Sequence, residues 1–133
     1  MFKTPLDTRQ IDEDTFVLLH RLIYRNRKFE ITVYKDFDFD GASIPRIFWT
    51  LIGSPTTGKY TKAACLHDAF YASRVFSRKQ SDDLFLEAMK ADGVGMIKRN
   101  LIYSAVRLGG WKAYNDADNL PKYRDLIKVD FVR

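Results

Sequence analysis

One carboxylate constrains this chain more than any other residue. Asp82 falls in step with Phe85, Leu86 and Met89, the three- and four-residue spacing that places side chains on one face of a helix. Its neighbour Asp83 falls with Glu87 and Lys90 on the wetter side. A carboxylate among apolar side chains must find a charged or hydrogen-bonding partner, because leaving it unpaired costs several kcal/mol. The preceding segment offers one. Residues 60–73 read as a helix whose packed side carries Ala63, Ala64, His67, Phe70 and Tyr71, and residues 77–92 read as the next helix. Ser77-Arg78-Lys79-Gln80 has the pattern of a capping box, so the chain turns sharply between Ser73 and Ser77. Helices joined so closely lie antiparallel. An imidazole nitrogen of His67 is therefore expected within hydrogen-bond reach of Asp82, with Asp83 in solvent.

The rest of the chain supplies a framework for that helical hairpin. Residues 15–24 and 29–35 are rich in β-branched and aromatic types and are expected to pair as an antiparallel hairpin. Residues 25–28 form its turn, with Asn26 the candidate for a positive backbone angle. Asp40-Gly41-Ala42-Ser43 reads as a loop, and Ser43 as the cap of a short helix that starts near Pro45 and stops at Gly53. A further helix over 96–108 carries Ile97, Leu101, Ile102, Ala105 and Leu108 and ends at Gly109-Gly110. The final stretch 126–132 reads as a late strand. These elements define an α+β domain over residues 1–133: a β-hairpin region at 15–40, a helical region at 44–110 carrying the site, and a C-terminal extension at 111–133.

Composition narrows the function classes. With 133 residues, 46% of them hydrophobic, the chain can bury one real core. No run of about 18 apolar residues occurs and Met1-Phe2-Lys3-Thr4-Pro5 is not a signal peptide, so a cytoplasmically made protein without a membrane span is expected. The single cysteine, Cys65, excludes an internal disulfide and reads as a small buried residue. A net charge of +5 permits contact with nucleic acid, but the 22 basic residues are interspersed with 17 acidic ones rather than gathered into a patch. Nucleic acid is therefore not expected as a partner.

A buried imidazole oriented by a carboxylate suits activation of water, which makes hydrolysis the leading reading. The same pair can equally be a packing tie between helices. Asp68, one residue beyond the histidine, could join carbonyls of the loop 53–58 around a hard cation such as calcium. Asp40 either bonds local amides or turns inward towards the histidine helix. Ser43 is conceivable as a nucleophile, but no G-x-S-x-G elbow surrounds it and a cap role suffices. His20 is expected as a half-buried strand residue, and its separation from His67 gives no histidine-rich metal spacing.

Three segments carry a resemblance. Phe39-Asp40-Gly41-Ala42-Ser43-Ile44-Pro45-Arg46, the run from Gly58 to Tyr71 with His67-Asp68, and Ser81-Asp82-Asp83-Leu84-Phe85 together resemble the domain-of-unknown-function family 1353 of phage and prophage proteins. That resemblance implies a protein made in the host cytoplasm, associated with the virion or tail, and partnered by other phage structural proteins. His67-Asp68-Ala69-Phe70-Tyr71 followed by Asp82-Asp83-Leu84-Phe85 is also similar to the paired helices of the phospholipase A2 superfamily. This second similarity implies His67 as general base, Asp82 as its orienting partner, Tyr71 as support for the dyad and Asp68 as a calcium ligand acting on membrane lipid. The chain departs from that superfamily in having no glycine-rich calcium loop with a cysteine.

Overall fold

The computed structural model describes residues 1–41, 43–52, 58–117 and 121–133. Its strands form two small antiparallel sheets. In one, β1 (Thr8–Gln10), β2 (Phe16–Leu18) and β5 (Asp38–Phe39) lie in the order β1-β2-β5. In the other, β3 (Leu22–Arg25) and β4 (Phe29–Val33) form a hairpin, with β6 (Ile127–Phe131) on the far side of β4. Leu22, Tyr24, Ile31 and Val33 point into the core from the second sheet, the alternation expected of a half-buried strand pair. The architecture is thus α+β.

The first sheet departs from expectation. Residues 15–24 are not one strand but two, because Leu18 exchanges backbone hydrogen bonds with Asp36 and Phe37, drawing β2 to β5 while β3 joins β4. His20 lies in the bend between them. Its side chain is 76% exposed and bonds Asp7 at 2.6 Å, so it is a surface residue rather than a half-buried strand residue. The hairpin turn is closed by a side chain instead of a left-handed residue: Asn26 Oδ1 accepts from the amides of Lys28 and Phe29. The positive angles at non-glycine positions fall instead at Asp36 and Arg74.

A short 3₁₀ turn, Arg46–Phe48, leads into α1 (Trp49–Ile52). Gly53, the expected stop of this helix, and the loop positions 54–57 lie outside the described residues. α2 (Thr61–Ser73) is the axis of the molecule, with ten of its thirteen residues buried, Cys65 among them. A helix buried nearly all round has no wet face to which polar side chains can be turned. α3 (Arg78–Ala91) starts at the expected capping box: Ser77 accepts from the Gln80 amide while the Gln80 side chain accepts from the Ser77 amide. α4 (Met96–Gly109) packs on α3 through Ile102, Ala105 and Val106, and leaves Ile97, Leu101 and Leu108 exposed. α5 (Trp111–Asp116) and α6 (Pro121–Asp125) complete the described helices, none of which is long and apolar enough to cross a membrane.

The elbow between α4 and α5 depends on two glycines. A Cβ on Gly110 would stand 2.7 Å from the Tyr71 hydroxyl, and one on Gly109 would stand 2.8 Å from Pro45 Cγ. This elbow therefore closes on α2 and on the Pro45 segment only because both positions lack side chains.

The capping box is a local determinant of the helical hairpin. Ser77→Ala removes the acceptor for the Gln80 amide and should cost about 1 kcal/mol, lowering the melting temperature by roughly 4 °C. Thermal unfolding followed by far-UV circular dichroism measures this, and an unchanged midpoint would count against the cap.

Candidate functional site

α2 and α3 bring His67 and Asp82 face to face. His67 Nε2 lies 2.7 Å from Asp82 Oδ1, with both side chains fully enclosed. The Tyr71 hydroxyl, one turn along α2, donates to the same oxygen at 2.6 Å. The other oxygen, Oδ2, accepts from Arg107 Nη1 at 2.7 Å and meets Arg78 Nη1 at 3.5 Å. Arg78 also donates to the Val106 and Arg107 carbonyls at the end of α4, where a cation complements the helix dipole. Burial pushes the Asp82 carboxyl up, but the bonds from His67, Tyr71 and Arg107 outweigh it and hold this group below the usual carboxylate range. Asp83 points outward as expected, to Lys79 and Tyr103.

The imidazole is fixed in place by aromatic neighbours. Phe85 stacks on it with centroids 4.5 Å apart, and Tyr71 meets it at 4.2 Å. Its second nitrogen, Nδ1, faces Ser43 Oγ at 2.9 Å. Ser43 in turn bonds Asp68 Oδ1 through its hydroxyl. The backbone amide of Gly41 donates to Asp68 Oδ2 at 2.7 Å, and that of Ser43 approaches Oδ1 at 3.3 Å. Gly41 adopts φ 75°, the left-handed conformation that glycine supplies. Ser43 is therefore not the cap of the following helix; the residue at that position is Pro45, without a side-chain cap, and the serine hydroxyl is spent between α2 side chains.

A continuous path of hydrogen bonds thus runs Asp68–Ser43–His67–Asp82, and its protons can be counted. Ionised Asp82 accepts from Nε2, so that nitrogen carries hydrogen. Ser43 has one hydroxyl hydrogen and two neighbours that want it. If it donates to Nδ1, His67 is neutral and Asp68 must carry a proton to donate to Ser43 Oγ. If it donates to an ionised Asp68, His67 must be protonated on both nitrogens. Either arrangement holds one proton between Asp68 and His67. Burial decides between them: it lowers the affinity of His67 for a proton and pushes the Asp68 carboxyl up to about 7, with the charge of Asp40 adding to the rise. Below about pH 7 the neutral carboxyl and neutral imidazole are favoured.

The path meets solvent at its Asp68 end. Ser43 and Asp68 line a cleft of about 360 Å³ together with Asp38, Asp40, Asp116 and Tyr123, and none of its described lining residues is basic. Of the residues expected at the site, His67, Asp82 and Tyr71 meet in the interior, and Asp68 and Asp40 meet at the cleft. The carbonyls of positions 53–57 invoked for a cation lie outside the described residues. In the described residues Asp68 is held by the Gly41 and Ser43 amides and by the Ser43 hydroxyl. Among the described residues no three His, Cys, Asp or Glu converge as a metal site. Sequence reasoning missed Arg78 and Arg107, although Arg78 stands four residues before Asp82, a spacing that pairs charges on a helix.

The fold and site define a small α+β protein built round a buried Ser–His–Asp path that opens on an acidic cleft. The chain belongs to the family described as "Protein of unknown function (DUF1353)", whose model matches residues 16–106. It is similar to two proteins of Sinorhizobium fredii: uncharacterized protein y4jT, 39% identical over 53% of this chain, and uncharacterized protein y4iH, 35% identical over 54%. The matched regions make up 21% and 30% of those relatives, so the chain corresponds to well under half of either. No solved structure matches.

The proton count predicts opposite pH slopes for two variants. Between about pH 4 and 6.5 the folded chain holds the shared proton on Asp68, and the unfolded chain holds one on His67, so the two residues together contribute little slope. In His67→Gln only Asp68 remains, protonated when folded and ionised when unfolded, and stability falls as pH rises towards 7. In Asp68→Asn only His67 remains, neutral when folded and charged when unfolded, and stability rises with pH up to about 6.5. Each limb approaches roughly 1.4 kcal/mol per pH unit relative to wild type. Urea unfolding at pH 4.5, 5.5 and 6.5 measures both, and slopes of the same sign would refute the shared proton.

Proposed function

We propose that this chain is a hydrolase of the lipid- or ester-cleaving type, in which the His67–Asp82 pair takes the proton of an O–H group attacking from the cleft side. The observation that carries this reading is the unbroken hydrogen-bonded path from Asp68 and Ser43 at the cleft to ionised Asp82 in the interior. His67 acts as base through Nδ1, and Asp82 holds the ring in the tautomer that leaves that nitrogen free to accept. Arg78 and Arg107 draw off part of the Asp82 charge, so the carboxylate orients the imidazole more than it raises its basicity. The acidic lining suits an uncharged or cationic ester better than an anionic phospholipid. A phage-encoded protein associated with the virion or tail, meeting host envelope lipid and other phage structural proteins, is the setting in keeping with the family resemblance.

A second reading is a non-catalytic structural or adaptor protein of a virion, favoured by the complete enclosure of His67 and Asp82. There the pair is a tie between α2 and α3, with no chemistry attached.

One comparison separates them. Wild type and His67→Gln are assayed on p-nitrophenyl acetate and on phosphatidylcholine vesicles, with folding monitored by circular dichroism. The hydrolase reading expects turnover by wild type and a loss of about 100-fold or more in a variant that stays folded at the assay temperature. Wild type inert to both substrates, with a variant that is merely less stable, establishes the adaptor reading instead.

A further inference from the structure

Resting on the hydrolase reading, we infer that Ser43 is the attacking nucleophile, and that its Oγ forms a covalent acyl intermediate with the substrate's carbonyl carbon. Three observations carry this. Ser43 Oγ is the hydroxyl in contact with His67 Nδ1, at 2.9 Å, and the opposite nitrogen of the same ring is held by Asp82 at 2.7 Å. Nucleophile, base and orienting group thus stand in the order used by hydroxyl nucleophiles on unrelated folds, with the two ring nitrogens exchanged, serine on Nδ1 and carboxylate on Nε2. His67 is fully enclosed, so a water molecule cannot reach its free nitrogen without displacing Ser43. Ser43 itself lies on the cleft wall, where a substrate carbonyl can approach.

The step balances without a further reactant. As Oγ bonds the carbonyl carbon, its proton passes to His67 Nδ1 and the carbonyl π electrons move to oxygen. Collapse breaks the bond to the leaving alkoxide, which takes its proton from Asp68 on the cleft wall, leaving Asp68 ionised and His67 still protonated. Until that transfer, protonated Asp68 is a hydrogen-bond donor on the cleft side. In the release step a water oxygen bonds the acyl carbon, its proton passing to ionised Asp68, and the C–Oγ bond breaks as Ser43 Oγ takes its own proton back from His67. Because water meets the intermediate from the cleft and not at His67, release is slower than formation. The first turnover should then appear as a burst.

The test uses the whole chain with two probes, p-nitrophenyl acetate and an alkyl fluorophosphonate, which bonds an activated hydroxyl through phosphorus with loss of fluoride and the hydroxyl proton. Expected are a burst of about one p-nitrophenol per chain, a single phosphonyl adduct mapped to the peptide containing Ser43, and labelling roughly 100-fold slower in His67→Gln. Ser43→Ala should lose both burst and adduct; the peptide map of the wild-type chain decides the matter even if that variant does not fold. Turnover of the ester without an adduct, or an adduct on another residue, overturns Ser43 as nucleophile and leaves the hydrolase reading standing. Neither turnover nor adduct overturns both.

Discussion

The structure turns on a single buried anion. Asp82 is enclosed at the centre of the helical unit and is met by a histidine and a tyrosine from α2, an arginine from its own helix and an arginine from the last turn of α4. Taking a carboxylate out of water is worthwhile only when its remaining lone pairs are satisfied. Here that condition is met only with all three helices docked. Undocking α2 or α4 would leave the Asp82 charge in a low-dielectric interior without part of its partners, a loss of several kcal/mol. The close approach of Tyr71 to the α4–α5 elbow, which Gly110 permits, belongs to the same arrangement.

That anion also sets the state of the groups beyond it. By accepting from Nε2 it fixes which imidazole nitrogen is left to face Ser43, and through Ser43 it links the interior to Asp68. The site is thus divided into a dry half, which sets tautomer and orientation, and a wet half on the cleft, which meets whatever binds. Neither half is informative alone. A buried His–Asp pair is an ordinary packing device, and an acidic surface cleft is ordinary surface. Their connection through one serine hydroxyl is what gives the arrangement chemical meaning.

The features legible in the sequence were those carried by short-range pattern. The spacing of Asp82 with Phe85 and Met89, the capping box at Ser77 and the brief turn before it were enough to place His67 against Asp82, because a tight helical hairpin admits little else. Positions decided by distant neighbours were not legible. Ser43 is a good cap by type, and only the approach of α2, some 25 residues later, diverts its hydroxyl to Asp68 and His67. Arg107 reaches Asp82 because α4 folds across α3. Residues 15–24 have uniform strand composition, so nothing local announces that Leu18 and Leu22 are claimed by different sheets.

The strand β4 lies between partners of very unequal separation. One edge pairs with β3 across a turn of three residues, while the other pairs with β6, placing Phe29 opposite Phe131. The first contact closes in a short search; the second waits until nearly the whole chain has been gathered in, a slow step for a small protein. Without β6, β4 would present a bare edge with an apolar face behind it, the kind of surface on which identical chains pair with one another. The strand most distant in sequence from β4 is thus also the one that closes its open edge to other chains.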